Sequence, residues 1–212
     1  MNTISILRLS TFLLLSTIFN TIFTACDDDD DDKCNHIVWI DDDEFAGLPA
    51  YTEQGYNTFG AYINGQAFTS NRNEYITQIS FQSGDQTLTL SLEPFYARLS
   101  PTNTSKLSFT FPYSHINKYT DLRNLQGTKI DLTNNNVEVQ VLTNSELSAE
   151  QTITVESGEL NFQRVQILTV DNEVLEAIVS GTFEFNGSND QLSLNVTHGR
   201  FDAGVDANNF SF

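Results

Sequence analysis

The chain has 212 residues, 39% of them hydrophobic, and its ten Lys plus Arg against 28 Asp plus Glu leave a formal net charge of -18. That composition suits a globular protein. It excludes nucleic acid as a partner, because binding to a phosphate backbone rests on basic side chains that neutralise it.

Residues 1–25 read as a lipoprotein signal peptide. Arg8 precedes an uncharged stretch, Leu9 to Ala25, with an apolar heart of Phe12, Leu13, Leu14 and Leu15. Ser10, Thr11, Ser16, Thr17 and Asn20 interrupt it, so it falls short of the about 20 mainly apolar residues of a membrane-crossing helix. Phe23-Thr24-Ala25-Cys26 resembles a bacterial lipobox, with Phe23 in the place of the usual Leu. The resemblance implies acylation of Cys26 and a mature protein tethered to a membrane there. Each buried methylene contributes about 0.8 kcal/mol and a single acyl chain is marginal, so several chains are needed for a stable anchor.

Directly behind the lipobox stand Asp27, Asp28, Asp29, Asp30, Asp31 and Asp32. Such a block repels itself and stays extended. It resembles the export signal of Bacteroidota surface lipoproteins, which implies an outer-membrane, lipid-anchored protein exposed at the cell surface. A plain solvated tether and a cation-binding tract are the competing readings. Calcium loops space their carboxylates and use a Gly for a sharp turn, and this run has neither feature.

Residues 26–52 read as an acidic tether, with a second cluster at Asp41, Asp42, Asp43 and Glu44. Cys34 is left without a partner if Cys26 carries lipid, so no disulfide framework is expected. Between the clusters, Ile37-Val38-Trp39-Ile40 is either an added edge strand lying on the domain or a docking segment for an outer-membrane protein. Fully extended, the roughly 27 residues of the tether reach on the order of 90 Å.

From Glu53 to Phe212 the chain reads as one all-β domain, a single antiparallel β-sandwich or barrel with little helix. Period-2 alternation recurs at Leu88, Leu90, Leu92, at Val137, Val139, Val141 and at Leu192, Leu194, Val196, which gives strands with one wet face. Turn chemistry separates them at Asn64-Gly65, Ser83-Gly84-Asp85, Asn134-Asn135-Asn136 and Asn186-Gly187, so consecutive strands are expected to pair as hairpins. About ten strands follow, near 55–63, 66–69, 74–82, 86–93, 105–111, 128–132, 137–142, 151–156, 159–170 and 174–186, with an eleventh near 191–202. The alternation slips between Leu160, Phe162 and Val165, Ile167, which predicts a bulge near Gln163 and Arg164. Helical turns fit only 116–124 and 145–151, so parallel βαβ units are not expected.

The segments Asn57 to Phe68 and Val196 to Asp202 resemble the opening and closing strands of small Bacteroidota surface lipoproteins assigned to domains of unknown function. The resemblance implies a β-rich surface lipoprotein and carries no functional residues with it.

Catalytic signals are weak. His36, His115 and His198 lack ligand spacing, so no metal site is expected from them. There is no Gly-x-Ser-x-Gly elbow for a Ser-His-Asp triad, and Gly187-Ser188-Asn189 reads as a hairpin turn. Glu93, Glu184, Asp202 and Asp206 offer carboxylate pairs with no fixed separation. No cofactor is expected, and a hydrolase using one of these carboxylates or a serine is a reading subordinate to binding. Phe95, Tyr96, Tyr113 and Tyr119, set among Pro94, Pro101 and Pro112, are the candidate ligand-binding residues, either lining a loop-borne glycan or hydrophobic site or covering the core. Asp202, Asp206, Asn208 and Asn209 offer oxygens for Ca²⁺ or for a solvated turn. Phe210-Ser211-Phe212 resembles the aromatic end of an outer-membrane barrel, which the lipobox and the mixed strand faces argue against. The expected role is binding or interaction with a glycan, a peptide or an outer-membrane protein, or accessory service in an outer-membrane complex.

Overall fold

A computed structural model describes residues 37–70, 78–84, 86–94, 104–114, 116–143 and 150–211. The lipobox cysteine, the Asp27 to Asp32 run, Cys34, His36, Phe95, Tyr96 and His115 lie outside them. The folded unit is Asn35–Phe212.

Eleven strands form one mixed sheet: β1 (Thr58–Ile63), β2 (Gln66–Thr69), β3 (Gln78–Gly84), β4 (Thr87–Glu93), β5 (Thr104–Pro112), β6 (Lys129–Asp131), β7 (Glu138–Thr143), β8 (Gln151–Val170), β9 (Glu173–Ser188), β10 (Ser193–Val205) and β11 (Phe210–Ser211). Their order is β11-β3-β4-β5-β7-β8-β9-β10-β1-β2, with β6 alongside β8, and the sheet does not close into a barrel. The all-β expectation therefore holds. The barrel alternative does not.

Strand β8 explains why one sheet can enclose a core. Its first residues pair with β7, and from Thr154 onward it pairs with β9, with register shifts at Val155/Ser157, Phe162/Arg164 and Leu168/Thr169. Bulges add twist and bend a strand. The two halves of the sheet then meet through aromatic rings: Phe109 on β5 lies 5.2 Å from Phe183 and 6.1 Å from Phe185 on β9, and Phe111 lies 5.8 Å from Phe162 on β8. Such pairs combine large buried area with favourable edge and tilted geometry. The inner layer is completed by buried Leu88, Leu90, Leu92, Val139 and Val141 from the alternating positions that the period-2 pattern marks.

The slip at Phe162/Arg164 is the bulge the alternation predicts. Gln126, just past a 3-10 helix at Tyr119–Leu125, satisfies the backbone that the bulge frees. Its amide donates to the Gln163 carbonyl at 2.7 Å and accepts from the Val165 N–H at 2.5 Å.

Four expectations need correction. The strands near 151–156 and 159–170 are one continuous element, because bulges rather than a turn absorb the change of direction. Asn186-Gly187 is not a turn: both residues stay in β9, paired with Asn195 and Leu194, and the reversal falls at Asn189, whose N–H donates to Leu192. Gly187 serves close approach instead, since a Cβ there would lie 2.8 Å from the Thr154 carbonyl oxygen and 2.8 Å from Ile153. The sheet is not wholly antiparallel, for β11 runs parallel to β3. Consecutive strands are not all hairpin partners either, as β5 pairs with β7 and β1 with β10. The turns at Asn64-Gly65 and Asp171-Asn172 do take left-handed φ throughout, 51° and 78° and then 52° and 67°, as tight hairpins require.

Candidate functional site

The N-terminal segment decides which part of the sheet stays open. Although residues up to 52 read as tether, 37–56 pack on the domain: Val38 N–H donates to the Tyr56 carbonyl at 3.1 Å, Ala50 N–H to Ile40 at 2.8 Å, and Leu48 is fully buried. The reason is a set of polar anchors invisible to hydropathy. Asp202 on β10 is buried, and its carboxylate accepts from the Thr52 hydroxyl at 2.5 Å, from the Gln54, Gly55 and Tyr56 amides at 3.0, 2.8 and 3.2 Å, and from the Ser180 hydroxyl at 3.0 Å. A buried carboxylate is tolerated when donors surround it in this way.

A second anchor lies at Arg200. Its guanidinium, buried, pairs with Asp42, donates to the Pro49 carbonyl at 3.3 Å and lies 5.1 Å from the Phe45 ring centre. Burial pushes the Asp42 carboxyl up, but the backbone amides of Phe45 and Glu44 and the Arg200 charge outweigh it and hold the group below the usual carboxylate range.

Between these anchors the outer face of β8, β9 and β10 is left as an open cleft of about 590 Å³. Phe45 and Tyr51 wall it, and Asn161, Thr182, Glu184 and His198 line it. His198 reaches it through a bulge at which β10 slips by one residue between Val196 and Gly199, with His198 itself at φ 55°. A non-Gly residue in that conformation within a strand is strained, and bulges of this kind re-aim side chains. The imidazole lies 4.1 Å from Phe45 with the rings tilted by 41° and meets Tyr62 edge-on at 5.9 Å. Gly199 makes the bulge possible, since a Cβ there would come within 2.2 Å of the Phe183 carbonyl oxygen.

Tyr51 donates its hydroxyl to Glu53 at 3.1 Å, and burial followed by that carboxylate raises its pKa, so it remains a phenol. The amide of Asn161 and the carboxylate of Glu184 have no hydrogen-bond or ionic partner among the described residues. They are therefore available to a ligand that both donates and accepts hydrogen bonds.

Of the aromatic residues singled out from sequence, Phe95 and Tyr96 lie outside the described residues, and Tyr113 and Tyr119 do not build this site. Tyr113 and Tyr119 are half-buried against the core, Tyr113 edge-on to Phe111 at 6.4 Å, and neither lines the cleft; they are cover residues. Of the four carboxylates named from sequence, Glu93 pairs with Lys106 at 3.3 Å, Asp202 anchors the N-terminal segment, and Glu184 faces the cleft, where Glu159 and Asp42 join it. Asp206 accepts from the Asn208 amide at 2.7 Å and its N–H donates to Asn209, which makes a hydrogen-bonded turn. No group of three or more His, Cys, Asp or Glu able to hold a metal ion occurs among the described residues, and no helix among them is long and apolar enough to cross a membrane. No family model, no curated protein and no solved structure matches the chain.

Proposed function

We propose that the protein is a binding module that takes an uncharged, hydroxyl-rich ligand, a glycan, in the cleft on β8, β9 and β10, and that it is held by acyl chains on Cys26 at the outer membrane with the domain facing outward. The observation that carries the binding role is the cleft of about 590 Å³ in which the side-chain amide of Asn161 and carboxylate of Glu184, without partners among the described residues, stand beside aromatic Phe45, Tyr51 and His198. Volumes of this size suit small ligands, and convergent polar groups beside aromatic surface supply orientation and affinity. Hydroxyl groups can satisfy a carboxylate, an amide and an imidazole at once. A peptide added as a strand is disfavoured here, because β8, β9 and β10 are hydrogen-bonded on both edges along the cleft. The anchor and outward placement rest on the lipobox-like Phe23 to Cys26, the Asp27 to Asp32 run and the resemblance to Bacteroidota surface lipoproteins.

Affinity electrophoresis of the full chain in gels holding neutral polysaccharides tests the site. Retardation by at least one polysaccharide is expected, lost on Asn161→Ala and kept on Tyr113→Phe. Retardation that survives Asn161→Ala and disappears on Tyr113→Phe overturns the assignment. Protease treatment of intact cells tests the placement: digestion of the native chain and protection of a form with Asp27 to Asp32 replaced by Ala are expected.

Service as an accessory subunit is the second reading, favoured by one observation. Val38 and Ile40, 40% and 46% exposed, project from the segment that leads into the domain.

A further inference from the structure

The cleft does not end at β8. A second concavity of about 490 Å³ lies on the neighbouring strands and is lined by Lys129, Ile130 and Asp131 of β6, Gly158 and Glu159 of β8, and Glu184 of β9. Glu159 and Glu184 line both concavities. They are directly opposed in the β8–β9 register, Asp131 is opposed to Glu159 in the β6–β8 register, and the Thr197-His198 bulge faces Glu184 from β10. One row of side chains thus crosses four adjacent strands, which at ~4.8 Å between strands spans roughly 14 Å.

Resting on the binding role proposed above, the geometry points to a single groove across β6, β8, β9 and β10 that takes an extended, uncharged oligosaccharide and turns away polyanionic ones. The length follows from the continuity of the two concavities through Glu159 and Glu184. The charge selection follows from the cations available. Arg200 is occupied by Asp42, by the Pro49 carbonyl and by the His198 carbonyl, and Lys129 is paired with Glu159 at 3.3 Å, so among the described residues Glu184 and Asp131 face the groove without a cation. A uronate or sulfate laid along this row meets like charge, and like-charge juxtaposition is a means of excluding wrong ligands. Aromatic surface is confined to the β10 end, where Phe45, Tyr51 and His198 stand, so that end grips a ring and the β6 end adds polar contacts to the rest of the chain.

The test is titration calorimetry of the full chain with length series of uncharged cello-, xylo- and manno-oligosaccharides and with uronate polymers of matched size. For at least one neutral series the affinity is expected to climb by about tenfold from the shortest to the longest member. Lys129→Ala at the far end should flatten that climb, whereas Asn161→Ala should weaken every length by a similar factor. Glu159→Gln combined with Glu184→Gln should admit uronate polymers. Neutral binding that is independent of chain length and indifferent to Lys129→Ala overturns the extended groove and leaves the β10 cleft standing. Uronate polymers that bind the native chain as tightly as neutral ones overturn the charge selection. Failure of every series to bind overturns the glycan-binding role together with the groove.

Discussion

The Asp202 carboxylate receives the Thr52 hydroxyl at 2.5 Å although the two residues stand 150 positions apart in the chain. This contact, with the three amides that follow it, converts an acidic leader into part of the folded domain. Hydrogen bonds to a charged group are worth about 1.5–3 kcal/mol each, and donors left buried without an acceptor are costly. Asp202→Ala is therefore expected to lower unfolding stability by about 3 kcal/mol or more, and Asp202→Asn by less, in urea denaturation followed by fluorescence. A loss of under about 0.5 kcal/mol in Asp202→Ala, the range of ordinary surface changes, would show that the segment is held elsewhere.

Asp42→Asn leaves the Arg200 guanidinium, only 8% exposed, without its counter-charge. Breaking one side of a buried pair costs about 3 kcal/mol. The pH dependence has a defined sign. The folded Asp42 carboxyl lies below its unfolded value, so its contribution is present above the ordinary carboxylate range and is lost as the pH falls through the depressed folded value. The acid limb of the stability profile should be shallower in Asp42→Asn than in the native chain.

Glu176 carries the opposite sign. Burial first, then the Asp206 and Asp202 charges, raise its pKa, so the folded state holds this proton more tightly than the unfolded one. Its presence costs stability as the pH climbs through the unfolded value and up to the raised folded one. Glu176→Gln should stabilise the protein at neutral pH, by less than about 1 kcal/mol because the group is half-exposed. The two denaturation midpoints should converge in acid.

Gly181 on β9 lies between Phe162 on β8 and Phe201 on β10 in the strand register. A Cβ there would come within 2.2 Å of the Asn161 carbonyl oxygen and 2.7 Å of the Phe201 ring. Gly181→Ala is expected to cost about 2–3 kcal/mol by overpacking, read as a lowered thermal midpoint. Gly65→Ala meets no such crowding and is strained only by its φ of 78°, so its cost should be smaller.

Much of the fold was legible because alternation reports burial directly. Leu88, Leu90 and Leu92 face inward as their period requires, and the slip after Phe162 marks a bulge. The His198 bulge was legible by the same rule, since buried positions pass from even at Leu194 and Val196 to odd at Phe201, Ala203 and Val205. The Gln126 patch was not, because nothing local to Gln126 shows that Gln163 and Val165 need partners. The N-terminal segment misled for a related reason. Asp42 and Glu44 look like solvated charge, and only Arg200, distant in sequence, makes Asp42 an anchor. Tyr113 and Tyr119 follow the covering alternative: they sit among turn residues as binding aromatics do, yet their rings close over the core.

The pairing of β1 with β10 has a consequence for synthesis. Strand β1 emerges from the ribosome long before its neighbour exists, and on the open side it has only the short hairpin with β2 to occupy it. Its hydrogen-bonding edge, the Thr52 hydroxyl and the Gln54, Gly55 and Tyr56 amides that bind Asp202 lack their native partners until the last quarter of the chain has been made. Such non-local pairing slows folding and keeps the nascent chain open. A polypeptide that reaches its compact state only after translation is nearly finished spends longer with its apolar strands uncovered, the state in which a nascent chain meets chaperones and risks aggregation.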